Sequence, residues 1–255
     1  MPSSETAPSS ETAPPPSPNA PASAGAPLSG SGIGVLDALM SRRAVRAFLP
    51  TPVERPVIER ILEIASRAPS GSNIQPWQVW VVAGAAKERL SAKILAAHDA
   101  DDASHIDPYQ YYPATWAEPY LSRRRKIGGD LYGLLGIAKG DKAAMHRQFG
   151  RNYTFFGAPV GLFLGLDDRL AVGSWFDLGT FLQSVLLAAR GFGLHSCPQQ
   201  AFSRYHRLIR EELDIPSSVV IACGVAIGYE DPSAPENRLA TMREPVSSFA
   251  RFHWD

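Results

Sequence analysis

The sequence predicts a single domain that mixes helices with buried strands, and three observations carry that prediction. Apolar residues recur at helical spacing in several segments set apart by Gly and Pro. Between them lie apolar or β-branched runs of strand length at Gln78–Ala83, 159–166 and 219–229. The chain has 255 residues and 45% apolar content, enough for a sizeable core.

Charge excludes some partners. Lysine plus arginine number 25 and aspartate plus glutamate also 25, so no net field draws the molecule to nucleic acid or an anionic membrane, and any basic site is local. No apolar run approaches the roughly 20 residues of a membrane span; the longest, 219–229, reads as a strand, and a soluble, cytoplasmic protein is expected. The two cysteines, Cys197 and Cys223, form no CxxC and fit structural thiols in a reducing compartment. Six scattered histidines without an HxxxH pair give no reason to expect a metal. A His195/Cys197 nucleophile pair is conceivable, but core placement is preferred.

Residues 1–32 read as a disordered leader. Ser-Ser-Glu-Thr-Ala-Pro occurs twice in succession from Ser3, and Pro, Ala and Ser continue to Gly32, a composition that buries too little apolar surface to offset ordering. It lacks the basic start and apolar run of a secretion signal. Gly30-Ser31-Gly32-Ile33-Gly34 is discarded as a nucleotide loop, because it follows no strand and fails the GxGxxG spacing. Order is expected from Ile33 to residue 255. Val35, Leu36, Leu39 and Met40 form a helical stripe leading into Ser41-Arg42-Arg43-Ala44-Val45-Arg46-Ala47-Phe48. If helix continues there, Arg42 and Arg46, four apart, share a face and offer forked donors to a dianion such as a cofactor phosphate; a solvated basic turn is the plain alternative.

A helix from Pro56 carries Ile58, Ile61, Leu62 and Ala65 on one face. It gives way to Pro69-Ser70-Gly71-Ser72-Asn73-Ile74-Gln75-Pro76-Trp77, a donor-rich loop at the start of a strand expected to be buried. After a helix at 85–100 come Tyr109, Tyr111, Tyr112, Trp116 and Tyr120 on a long loop, 101–120, either a lid over a flat ligand or surface packing. Arg123-Arg124-Arg125-Lys126 opens a helix as a solvated face, and another helix is expected over 142–155. The longest, 173–193, repeats Trp175, Leu178, Leu182, Val185, Leu186 and Ala189 over about 30 Å.

The arginine segment, followed after some twenty residues by Ala68-Pro69-Ser70-Gly71-Ser72-Asn73-Ile74-Gln75-Pro76-Trp77, resembles the FMN-dependent nitroreductase family. Pro198-Gln199-Gln200-Ala201 resembles the family's Pro-x-Glu-Gly stretch with a different side chain at Gln200. Asn237 to Val246 resembles its closing basic motif, with Thr241 where many relatives carry lysine. The resemblance implies an α+β fold, a three-layer α/β/α sandwich on a mixed, mostly antiparallel sheet, in a domain-intertwined homodimer with FMN at the interface. Residues 238–255 are then an arm onto the partner subunit.

In that resemblance Arg42, Arg43, Ala44, Arg46, Pro69, Ser70, Asn73, Pro198, Gln199, Gln200, Ala201 and Arg243 bind cofactor, and Tyr112, Trp116 and Tyr120 face substrate. Arg42 and Arg243 hold the phosphate. Ser70 and Asn73 come from the second subunit, Arg46 lies near the flavin N1 edge, and the Gln200 amide faces N5. No side chain is the catalyst: hydride equivalents pass from NADH or NADPH through FMN to a nitroaromatic acceptor in ping-pong fashion, nitro to nitroso to hydroxylamine. A quinone, enone or halogenated phenol as acceptor, or flavin binding without turnover, are the alternatives.

Overall fold

The computed structural model describes residues 32–254, so the expected leader, Gly32 apart, lies outside the described residues. Helix α1 (Val35–Ser41) buries only Ala38. Its expected stripe faces away from the chain's own core, with Val35 74% and Met40 88% exposed. Helix α2 (Arg55–Ala65) starts where Pro56 is tolerated, in the first turn, and buries Ile58, Ile61 and Ala65 at spacings of three and four. Strand β1 (Gln78–Ala83) falls where the β-branched run placed it, but at a sheet edge, so Val81 is exposed rather than buried.

Helix α3 (Gly84–Asp99) precedes the aromatic loop, and α4 (Tyr120–Leu134) follows it with no buried residue. In α5 (Lys142–Gly150) the Asp141 side chain accepts the Ala144 amide at 2.9 Å, satisfying an N-terminal donor. The helix does not reach 155 as expected. A 3₁₀ stretch, Arg151–Gly157, replaces its end, turning Tyr153, Phe155 and Phe156 into the core. Strand β2 (Val160–Asp167) is buried nearly throughout. Helix α6 (Val172–Gly191), β3 (His195–Gln199), a 3₁₀ turn (Gln200–Tyr205), α7 (His206–Glu212), β4 (Val219–Gly228), a 3₁₀ turn (Pro235–Arg238) and α8 (Val246–Phe249) complete the chain.

The sheet order is β1-β2-β4-β3, every neighbour antiparallel. A parallel bridge, Ala44 to Ser196, adds the arginine segment beside β3. Alternation along β2 divides the core in two. Phe163 joins Phe155, Phe202, Leu90 and Ile94 on one face, and Leu162 and Leu164 join Ile61, Phe181 and Val185 on the other. Helices thus cover both faces, the expected three layers. Gly224 is required for this packing: a Cβ there would stand 2.4 Å from the Phe202 ring.

Among the described helices, α6 alone has the length and apolarity of a bilayer span, with mean hydropathy 1.2. It is no uninterrupted apolar run, because Asp177, Gln183 and Arg190 break its sequence. Leu178, Phe181, Val185, Leu186 and Ala189 are buried from it, which makes it a core helix.

Candidate active site

The arginine segment is extended, not helical. α1 ends at Ser41, Arg42 has φ −65° and ψ 125°, and the Val45 amide donates to the Ser196 carbonyl at 3.1 Å. In an extended chain alternate residues face opposite ways. Val45 and Ala47 are buried, and Arg43 pairs with Glu230. Arg42, Ala44 and Arg46 take the other side. The expected shared face of Arg42 and Arg46 survives through a different periodicity, and Arg43 is drawn off to a carboxylate.

Two partners clamp the Arg46 main chain. Its amide donates to Asn237 Oδ1 at 2.8 Å, and its carbonyl accepts from Arg151 Nη2 at 3.0 Å. Asn237, 5% exposed, also donates through Nδ2 to the carbonyls of Ala47 and Asp231, each at 2.8 Å. The Arg46 guanidinium makes one long contact, to the Ala44 carbonyl at 3.3 Å. Among the described residues neither Arg42 nor Arg46 has a carboxylate partner. Two uncompensated guanidiniums on one face are a ready anion site.

Arg46 lines a cavity of about 360 Å³ with Pro198, Gln199, Gln200, Ala201 and Tyr112. Gln199 is 2% exposed, and its Oε1 is a buried acceptor without a partner in the chain. A second, more apolar cavity of about 700 Å³ shares Tyr111, Pro198 and Gln200 with the first and is walled by Trp175, Leu178 and Leu182. Of the expected substrate residues only Tyr112 reaches the first cavity. Trp116 packs on Tyr112, with ring centroids 5.2 Å apart, and under Arg124, while Tyr120 stands exposed beside Arg123. Tyr111, Tyr132, Asn152 and Phe156 also line the cavity, though none was assigned to the site from the sequence. Tyr111 was signalled only as one of the loop's aromatics; the others belong to elements whose pattern reads as ordinary packing.

The loop at 69–77 is built separately. The Gly71 amide donates to both carboxylate oxygens of Asp177 at 3.2 Å, Thr180 Oγ1 donates to the Pro69 carbonyl at 3.0 Å, and the Gln75 amide donates to Ser70 Oγ at 3.0 Å. Ser72, Asn73 and Gln75 have φ of 50°, 56° and 49°, left-handed values that few side chains tolerate. Such clustering marks a segment held for a purpose. This loop sits at Asp177, whereas the arginine segment meets the same helix at Arg190, whose Nε lies 3.3 Å from Ser41 Oγ. Positions 177 and 190 are roughly 20 Å apart along α6. One protomer therefore does not bring Ser70 and Asn73 to Arg42.

Arg243 lies on a C-terminal arm exposed from Ala240 to Phe249, and its Nη1 donates to Thr241 Oγ1 at 2.8 Å and the Met242 carbonyl at 2.9 Å. Burial pushes the Cys197 thiol up to about 11 and Cys223 to about 12, leaving both protonated and unreactive near neutrality. His195 Nε2 lies between Arg190 Nη1 at 3.0 Å and Glu230 Oε2 at 3.2 Å. Burial first, then the guanidiniums of Arg190 and Arg43, push its pKa down to about 4. His195 Nδ1 has no partner among the described residues and Cys197 Sγ donates to the Pro198 carbonyl at 3.7 Å, so His195 and Cys197 do not form a catalytic pair. His98, Asp99 and His146 bring three ligand atoms within 4.8 Å, a grouping invisible in sequence spacing. The two imidazoles stack 3.9 Å apart and 6° from parallel, so their lone pairs do not converge on one ion.

The nitroreductase family's sequence model matches residues 39–229. The chain belongs to the nitroreductase family. It is 45% identical over 212 residues to 4-nitrobenzoate reductase of Pseudomonas putida, covering 83% of this chain and 92% of that one. It is 37% identical to nitrobenzene nitroreductase of Ectopseudomonas oleovorans, covering 85% and 95%. Among solved structures, the FMN and NADPH-dependent nitroreductase NfnB of Sphigopyxis sp. strain HMH superposes with TM-score 0.84 at 39% identity, covering 88% and 100%. NfnB of Mycobacterium smegmatis in complex with NADPH gives 0.81 at 32%, covering 85% and 96%. The nitroreductase fold thus accounts for the three layers around the antiparallel sheet.

Proposed function

We propose that this nitroreductase binds FMN between two copies of the chain and uses NADPH or NADH to reduce nitroaromatic compounds. The observation that carries the reading is the meeting of Arg46 with the 198–201 main chain in one cavity beneath Tyr111 and Tyr112. The residues fit FMN: two guanidiniums without carboxylate partners suit its phosphate and its electron-rich edge, and the orphaned Gln199 Oε1 is an acceptor for a ring N–H. When bound, FMN supplies the hydride chemistry, taking a hydride from the nicotinamide and giving it to the acceptor.

The chain's own residues bind, orient and exclude water. Arg42 would hold the phosphate, joined by Arg243 once the C-terminal arm is docked. Arg46, its main chain fixed by Asn237 and Arg151, presents a positive charge that needs no reorganisation as negative charge develops. The Gln200 main-chain amide would offer a donor to the cofactor, and Tyr111 and Tyr112, which line the same cavity, would offer aromatic faces to a flat acceptor. Pro69, Ser70 and Asn73 reach the cofactor from the second copy, because their own protomer holds them some 20 Å away along α6. The exposed side chains of Val35, Met40, Phe249, Phe252 and Trp254 are the surface that a homodimer covers.

Reductant and acceptor share one cavity, so they bind in turn and the kinetics are ping-pong. A nitro group takes two electrons and two protons, loses water to give the nitroso compound, and takes two of each again to reach the hydroxylamine; two NAD(P)H are consumed. The test is the absorbance of the purified protein, followed by NADPH oxidation with and without 4-nitrobenzoate. Bound flavin and nitroarene-dependent oxidation are expected; a colourless protein that FMN does not reconstitute would overturn the reading.

A further inference from the structure

The aromatic loop has two limbs that are held differently. The limb at 105–109 is pinned: the His105 carbonyl accepts from Arg204 Nε at 3.0 Å, Tyr109 OH donates to the Ala222 carbonyl, and Asp107 Oδ1 accepts from Ser203 Oγ. The limb at 111–116 is supported mainly by its own aromatics and by Arg124 over Tyr112 and Trp116. Gln200 joins the pinned limb to the cavity. Its Nε2 donates to Ser203 Oγ at 2.7 Å and to Asp107 Oδ1 at 3.3 Å, and the residue lines both cavities. Ser203 is fully buried, so its hydroxyl is a fixed relay between the two.

We infer that Gln200, Ser203 and Asp107 form a latch that sets how far Tyr111 and Tyr112 stand above the cavity, and so which nitroaromatic acceptors enter. Gln200 acts here as a positioning residue: its side chain fixes the loop from a residue that lines both cavities. The chemistry requires an amide. Asp107 is acceptor-only when ionised, and Ser203 already gives it its one proton. A carboxylate at position 200 would set like charges about 3.3 Å apart and push the limb away. Gln200, where the Pro-x-Glu-Gly stretch has a glutamate, meets this need.

The inference rests on the flavin reading of the cavity, and the experiment separates the two. FMN-loaded wild type, Asp107→Ala, Gln200→Glu and the charge-swapped Gln200→Glu/Asp107→Asn are compared in the reductive half-reaction with NADPH and in steady state with 4-nitrobenzoate. Asp107 is exposed, so its replacement leaves the core intact. Asp107→Ala should reduce its flavin at the wild-type rate while KM for the nitroarene rises roughly tenfold. Gln200→Glu should show a defect at least as large, and the swap, which restores one amide facing one carboxylate, should recover most of it. A KM within twofold of wild type in Asp107→Ala, or a swap no better than Gln200→Glu alone, would overturn the latch. A wild type that binds no FMN would overturn the flavin reading instead.

Discussion

The two halves of the proposed cofactor site are built by opposite means. The arginine segment and residues 198–201 are knitted into the sheet: the segment bridges to β3 at Ala44, Asn237 and Arg151 hold Arg46 from both sides, and Phe202 packs on Gly224. The loop at 69–77 has no sheet to lean on. It keeps three left-handed residues in place with one carboxylate, Asp177, and a few main-chain bonds on the flank of α6. In the proposed site, charge comes from the rigid half, while uncharged donors come from the half assigned to a second copy. Stability and flavin affinity should therefore separate when each half is damaged.

The largest loss is expected in the rigid half from Gly224→Ala, whose Cβ would meet the Phe202 ring at 2.4 Å. Overpacking of this kind costs about 1–3 kcal/mol, read as a lower urea midpoint, with flavin lost in parallel because the Gln200 turn rides on Phe202. Asn237→Ala comes next. It strips the partners of the Arg46 amide and the Ala47 carbonyl, about 1–3 kcal/mol, and thermal melting should move down by some 2–4 °C per kcal/mol. Asp177→Ala should reverse the pattern: melting changes little, while flavin dissociates faster because Gly71 no longer has its acceptor.

Arg42→Ala removes a charge-assisted contact, and FMN affinity should fall roughly tenfold to a hundredfold. Arg123→Ala breaks only an exposed pair with Glu244 at 3.2 Å and should leave FMN titration unchanged. Equal flavin retention in those two variants would show the anion site misplaced. The smallest effect concerns pH. His195 is pushed to about 4 in the folded chain, below the ordinary 6.5. Between those values the unfolded chain binds a proton that the folded one does not, so stability is complete above about pH 6.5 and declines toward pH 4. Urea midpoints at pH 7 and pH 5 should differ less in His195→Gln than in wild type.

Much of this was legible in the sequence, for identifiable reasons. β1 and β4 were found to within a residue by their β-branched runs, and α2 by Pro56 and its apolar spacing. The 198–201 segment and Arg46, each singled out in the sequence, line one cavity. What stayed hidden depends on partners distant in the chain. Nothing local says that Glu230 will claim Arg43, that Asn237 will hold Arg46 from 191 residues away, or that Phe155 and Phe156 will turn left-handed to reach the core. Val35, Leu36, Leu39 and Met40 read as a helical stripe and α1 is helical there, but periodicity does not say whether the covering surface belongs to the same chain.

The central claim is that one flavin site takes its charge from one copy and its loop from another, and co-expression of two defective chains tests it most directly. One chain carries Arg42→Ala with Arg46→Ala, the other Ser70→Ala with Asn73→Ala, and each alone should form dimers with no working site. Random pairing makes half the dimers mixed, and each mixed dimer regains one of its two sites, so about a quarter of wild-type flavin content and nitroarene turnover should return. If the mixture is as inactive as its parents although mixed dimers form, the two halves belong to one chain and the account is wrong.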